Sequence, residues 1–251
     1  MHDPMRQRPA MPTRATPPPA FNAPAVVLFM LAAFALVQAV RSWWLGPADD
    51  ILLVADFGFV SGCYTESSDL CAIRAAGAAL WSPFTYALLH GDWMHLGTNA
   101  IWMLAFGTPV ARRLGTPRFL AFSVFGSLAG ALLFFALNPA LMEPVIGASG
   151  IVSALMGGAC RFAFSRQMRH GRLGAHPPLL SIREALSDRT VLVFVVLFFL
   201  TNAVVGAGLG GFLGAPGAVA WEAHLGGFAF GFLLFRLFDP EPPVMRAAPD
   251  L

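Results

Sequence analysis

Val191-Leu-Val-Phe-Val-Val-Leu-Phe-Phe-Leu-Thr-Asn-Ala-Val-Val-Gly-Ala-Gly-Leu209 runs without a single charged side chain. A helix needs about 20 mostly apolar residues to cross the hydrocarbon of a bilayer, and this stretch has that length. Outward from it lie five more apolar stretches, approximately Pro24–Trp44, His95–Ala111, Phe119–Leu137, Ser149–Phe164 and Trp221–Phe238. Composition agrees: the 251 residues are 57% hydrophobic and 12% charged, whereas soluble domains carry roughly 25% charged residues. So few charges could not cover a core of this size in water, and lipid is the solvent that makes the sequence sensible. The expected fold is an all-α membrane protein, a bundle of six transmembrane helices over residues 23–239. A disordered Pro- and Arg-rich tail is expected over 1–22 and a short tail over 240–251.

Every one of the sixteen basic residues is Arg. With both termini in the cytoplasm, fourteen of them fall inside and only Arg41 and Arg74 fall outside, as the enrichment of basic residues in cytoplasmic loops requires. Both tails are therefore expected to be cytoplasmic. The first outer connection, about Leu45 to Met94, is acidic in its first half and semi-apolar in its second. Its Trp81-Ser82-Pro83-Phe84 reads as a segment lying in the membrane interface, where Trp is enriched. The connection around Gly206–Gly217 holds six glycines and no charge, so it bends cheaply and suits a mobile lid. Cys63 and Cys71 share the first outer loop, either as a disulfide or as two free thiols. Cys160, inside an apolar helix, reads as packing. Without a basic patch interleaved with aromatics, nucleic acid is not an expected partner.

This topology brings four polar groups to one depth near the outer face. Ser149 opens the fourth span, His95 and Asn99 open the second and share a helical face, and His224 lies about one turn inside the sixth. Burying such groups in hydrocarbon is expensive unless they pair or meet water. A common depth therefore implies a shared hydrated cavity. Small residues explain how the helices approach: Ser149, Ser153 and Gly157 repeat every fourth residue, and Gly227 and Gly231 form a small-xxx-small pair. That packing brings a Ser hydroxyl towards an imidazole, the nucleophile and base of acyl transfer. Ser149 lies in Gly147-Ala148-Ser149-Gly150 at a helix N-terminus, where N–H groups and the dipole favour a developing oxyanion. Asn99 and His95 can donate to the same oxygen.

Each feature alone has a blander reading. A serine among glycines is weak in a chain with 25 of them, and one His in a span more often bonds a neighbouring helix. Glu222 lies on a different helical face from His224 and reads as an interface residue rather than a third catalytic acid. His90 reads as a tie between the first loop and the mouth of the second span. His170 and His176 lack metal-ligand spacing, and no HExxH or paired-carboxylate motif is present.

The string His90-Gly91-Asp92-Trp93-Met94-His95-Leu96-Gly97-Thr98-Asn99, the segment Gly147–Gly150, and Ala223-His224-Leu225-Gly226-Gly227 followed by Gly231 resemble the three signature regions of the rhomboid intramembrane proteases. The resemblance covers about Trp81 to Phe238. It implies a six-helix core and a Ser149–His224 dyad without an acidic third member. It also implies an oxyanion hole made of the Asn99 and His95 side chains and the Ser149 N–H, with Gly147, Gly150, Gly227, Gly231 and His90 in support. The first outer loop would dip sideways into the bilayer, and the fifth span would gate access. Two positions depart from the pattern. Ser82 follows Trp81 where better-known members often carry Arg, and Ser153 stands where many carry an aromatic against which the base stacks. The motifs thus leave unnamed the group that orients His224.

The expected function is an intramembrane serine endopeptidase that cleaves transmembrane segments of other membrane proteins near the outer face. No metal and no organic cofactor is implied. The expected partners are transmembrane substrates and the lipid bilayer, and the expected location is a bacterial inner membrane. A non-catalytic client-binding relative would lack the Ser or the His. A transporter would need polar groups at the inner mouth as well.

Overall fold

The computed structural model describes residues 23–164, 177–209 and 219–240. The tail over 1–22, His170 and His176, most of the glycine-rich connection and the chain beyond Pro240 lie outside the described residues. What is described is helical: no strand is present among these residues, and one isolated antiparallel bridge joins Phe59 to Val145.

All six apolar stretches fold as helix, but not all alike. Ala25–Trp43, Thr116–Leu137 and Arg189–Leu209 are long and apolar enough to cross a membrane. The second stretch is helical from Trp93 to Trp102, widens into a π-turn over Met103–Gly107 and resumes over Thr108–Leu114. It ends at Gly115, whose φ of +71° lies in the left-handed region open to glycine. The fourth, Ser149–Ala159, is short, and the sixth, Trp221–Leu234, tightens into a 3-10 turn over Phe235–Leu237. The expected starts thus nearly hold, the second stretch runs past its expected end at Ala111 to Leu114, and the regular helix of the fourth and sixth stops short of theirs.

Local chemistry sets the starts. Asp92 caps Trp93–Trp102 by accepting from the His95 N–H at 2.7 Å. Ser181 and Glu184 form a reciprocal capping box on the short helix Ile182–Ser187. Asp188 then accepts from the N–H groups of Thr190 and Val191 to start the next helix.

The helix Ser149–Ala159 is the axle of the fold: every residue in it except Ser149 is buried. It crosses Trp221–Leu234 at backbone contact. A Cβ added at Gly227 would run into the Gly150 carbonyl, and one at Gly231 into the Ala154 carbonyl. From the other side, a Cβ on Gly157 would meet the Phe232 nitrogen at 2.7 Å. Thr116–Leu137 closes the trio, with Gly126 against the Ala154 side chain and Gly130 against the Ala223 carbonyl. The small-residue pattern thus acts as expected, because only glycine lets two helix backbones come this close. Phe122, Phe228 and Phe235 share one buried core with Leu155 of the Ser149 helix.

At the far end of the same three helices the basic residues are held by the backbone. Arg161 donates to the carbonyls of Leu180 and Phe232, and Arg113 pairs with Asp239 at 2.8 Å while donating to the Pro177 carbonyl. At the opposite end lies the first connection, which Cys63 and Cys71 close as a disulfide. Ser82, buried, does not anchor it as an Arg would. That work falls to Arg74, which donates to the carbonyls of Ala55 and Gly58, and to Trp81, whose indole N–H donates to the Asp56 carbonyl.

Candidate active site

The segment before Ser149 is fixed from several sides. Phe59 and Val145 exchange both backbone hydrogen bonds, at 3.0 and 2.8 Å. The Gly147 N–H donates to the Tyr86 carbonyl at 3.0 Å, and the Ala148 N–H donates to His90 Nε2 at 3.4 Å. Gly147 has φ +121°, a conformation that a residue with a side chain rarely adopts. The chain then turns at once into the Ser149 helix, whose N-cap residue Ala148 offers no side-chain acceptor. The first-turn N–H groups are therefore turned towards whatever sits before the helix.

His90 is the pin of this arrangement. It is fully buried, and Arg41 donates to its carbonyl while also pairing with Asp50. Burial, with His95 and Arg41 nearby, pushes the ring down to about 4, so it stays neutral and can accept from Ala148. His90 thus links Arg41, on the first span, to the residue before Ser149.

His95 lies on the first turn of its helix because Asp92 caps it. Its Nδ1 accepts from the Gly91 N–H at 3.3 Å, so in the neutral ring Nε2 carries the hydrogen. That nitrogen flanks Gly147: a Cβ there would sit 2.7 Å from it and 3.8 Å from Ser149 Oγ. The structure thus brings His95 and Ser149 to the same glycine. Ser149, His95 and His224 all keep partial exposure among buried neighbours.

Asn99 is buried one turn below His95 and donates from its amide to the His95 carbonyl at 3.1 Å. In this conformation its amide is satisfied within its own helix. His224 sits three residues before Gly227, one of the two glycines at which its helix meets the Ser149 helix backbone. Among the described residues, no hydrogen bond joins it to Ser149. Its Nδ1 instead lies 2.9 Å from Asn202 Oδ1. Glu222 lies at a helix interface, as expected: it accepts from Asn138, the cap of the neighbouring helix Thr116–Leu137, at 3.0 Å.

Two residues at the site escaped the sequence reading. Tyr86 is buried, donates from its hydroxyl to the Ser127 carbonyl at 2.9 Å, and lies where a Cβ on Gly150 would touch it at 2.7 Å. Asn202 was legible only as an amide in a run of apolar residues, the kind of intramembrane polar group that signals function.

Residues 77–239 match the family profile described as the rhomboid domain. The chain is 27% identical over 219 residues to rhomboid protease GluP of Bacillus subtilis (strain 168), covering 76% of this chain and 40% of that protein. Rhomboid protease GlpG of Serratia proteamaculans (strain 568) is 27% identical over 155 residues, which is 62% of this chain and 47% of that one. Human rhomboid-related protein 3 is 34% identical over 79 residues, 32% of this chain and 19% of that protein. The chain thus spans less than half the length of these curated relatives. Because the profile takes in well over half of the chain and includes all three motif regions, the chain belongs to the rhomboid family.

Proposed function

We propose that the protein is an intramembrane serine endopeptidase in which Ser149 is the nucleophile and His224 the base. Ser149 Oγ attacks the scissile carbonyl carbon, and His224 Nε2 takes the hydroxyl proton and passes it to the leaving amine. Water then attacks the acyl-enzyme through the same base and frees Ser149. The oxyanion is stabilised by the Ser149 N–H, the His95 Nε2–H and the Asn99 amide, once that amide turns from the His95 carbonyl to the reacting oxygen. Losing one such donor costs about 3 kcal/mol of transition-state stabilisation. The chemistry calls on no metal or organic cofactor.

The observation that carries this reading is the convergence on Gly147 and Gly150. His95 Nε2 and Ser149 Oγ flank the first, and the His224 helix touches the backbone of the second. Catalytic hydrogen bonds are often long before substrate binds, so an unmade Ser149–His224 bond is compatible with a dyad that closes on substrate. Two of the relatives bear the name rhomboid protease, which favours the same chemistry.

The surroundings complete the proposal. Six spans with both termini in the cytoplasm put the Ser149 end at the outer face and the Arg113–Arg161 end inside. Substrates are then transmembrane segments of other proteins that enter sideways and unwind, since a helix hides its peptide bonds. The location is a bacterial inner membrane.

The test is labelling of detergent-purified protein with a serine-directed fluorophosphonate, beside cleavage of a reconstituted transmembrane reporter. Ser149→Ala and His224→Ala should both lose the label and slow cleavage by roughly 10⁴-fold or more. Normal cleavage by folded Ser149→Ala overturns the mechanism.

A further inference from the structure

The helix Arg189–Val204 is the most exposed long helix described, and only Val191 and Asn202 in it are buried. An amide is costly to bury beside lipid unless both its ends are used, and both ends of Asn202 are. Its Nδ2 donates to the Phe198 carbonyl at 2.8 Å, and its Oδ1 lies 2.9 Å from His224 Nδ1. The first contact fixes the second. A backbone carbonyl can only accept, so the NH2 end faces Phe198 and the oxygen faces the ring. An oxygen without a hydrogen requires a donor opposite, so His224 carries its proton on Nδ1. Nε2 is left with its lone pair, the tautomer a general base needs.

The contact is held in register above and below. One turn away on both helices, Phe198 stacks on Phe228 with ring centroids 4.4 Å apart. On the other side, Trp221 packs against Gly206. These three rungs run antiparallel and place Asn202 opposite His224. The position where relatives stack an aromatic on the base is Ser153 here, and Ser153 makes no hydrogen bond to the ring among the described residues. His95 is the titratable neighbour that acts on His224 through space, and it makes no hydrogen bond to the ring.

We infer that Asn202 is the positioning residue of the base, fixing the tautomer and orientation of His224 from the fifth span. This rests on the Ser149–His224 reading. The orienting member sits on a different helix from either reacting group, in the role an acid plays in a serine triad but without a charge.

The experiment compares reporter cleavage by wild type, Ser149→Ala, Asn202→Leu and Asn202→Asp in liposomes, with thermal midpoints in detergent as a folding check. Leucine removes both contacts. Aspartate keeps an acceptor for the ring but loses the donor to Phe198. In Asn202→Leu, kcat should fall about 10- to 100-fold, a part of what acid–base catalysis supplies, with KM within about twofold. Asn202→Asp should recover most of the loss. Its acid limb in kcat/KM should move to higher pH by about one unit or more, because a carboxylate favours the protonated ring. A folded Asn202→Leu with wild-type kcat overturns the assignment. So do equal losses in the two variants with an unmoved acid limb, the signature of a helix-capping role at Phe198. If Asn202→Leu does not fold, the aspartate arm decides alone. Normal cleavage by Ser149→Ala would instead remove the underlying dyad, so the two failures are distinguishable.

Discussion

The helices that carry Ser149 and Asn202 are both apolar, yet the structure treats them oppositely. Ser149–Ala159 buries ten of its eleven residues and meets its neighbours backbone to backbone. Arg189–Val204 buries two of its sixteen and meets Trp221–Leu234 through side chains, chiefly Asn202 and Phe198. In lipid, apolar surface alone gives no reason for helices to associate, so closeness depends on small residues and on polar contacts. The first helix is rich in the former. The second has the latter almost alone, at Asn202. On the proposed mechanism, the nucleophile Ser149 is thus built into the most buried helix, and Asn202, which would orient the base, is carried by the most exposed long one.

The largest expected effect lies in the tight region. In Gly227→Val a branched side chain would enter the Gly150 backbone, which cannot swing away as a side chain could. Overpacking of this kind costs about 3 kcal/mol, or prevents folding. A lowered thermal midpoint in detergent, with loss of fluorophosphonate labelling, is the expected result. An unchanged midpoint would show that the two backbones are not in contact.

The difference between the regions also explains what the sequence revealed. Gly227, Gly231 and Gly157 were legible because close helix packing requires small residues at a fixed spacing, and spacing is visible in a string. Glu222 was legible because a two-residue offset from His224 turns it to another face. Asn202 was not, since one amide has no period and its partner lies 22 residues away across a glycine-rich connection. Tyr86 was hidden for the same reason: its contact with the serine helix depends on how the first loop folds back. The choice between disulfide and free thiols at Cys63 and Cys71 depended on that loop too, and the structure pairs them. The motifs left the first loop without an anchor at Ser82, and the structure supplies a guanidinium from Arg74, which no spacing marked.

A smaller effect measures what holds the loose helix. Phe198 and Phe228 stack one rung below Asn202 and His224, and an aromatic pair contributes about 1 kcal/mol beyond its area. A double-mutant cycle with Phe198→Ala and Phe228→Ala, followed by unfolding in mixed micelles, should return a coupling of about that size. Zero coupling would mean that the helix is held at the other two rungs, Asn202 on His224 and Gly206 on Trp221.

The smallest effect is expected on the outer face of the same helix. Leu197 is 55% exposed and, in a bilayer, would face acyl chains. Acyl chains are as apolar as the side chain they replace, so Leu197→Ala should change stability by less than about 0.5 kcal/mol. Reporter cleavage should be equally indifferent, since nothing places Leu197 against the ring of His224. The null result is informative because its neighbour behaves differently: one residue further on, Phe198 should couple measurably and Leu197 should not. If Leu197→Ala instead costs as much as a packed residue, that face is covered in the membrane, and the helix is no loose edge. Docking of Asn202 on His224 would then be permanent rather than dependent on the position of this helix, and access to Ser149 would have to be found on another side of the bundle.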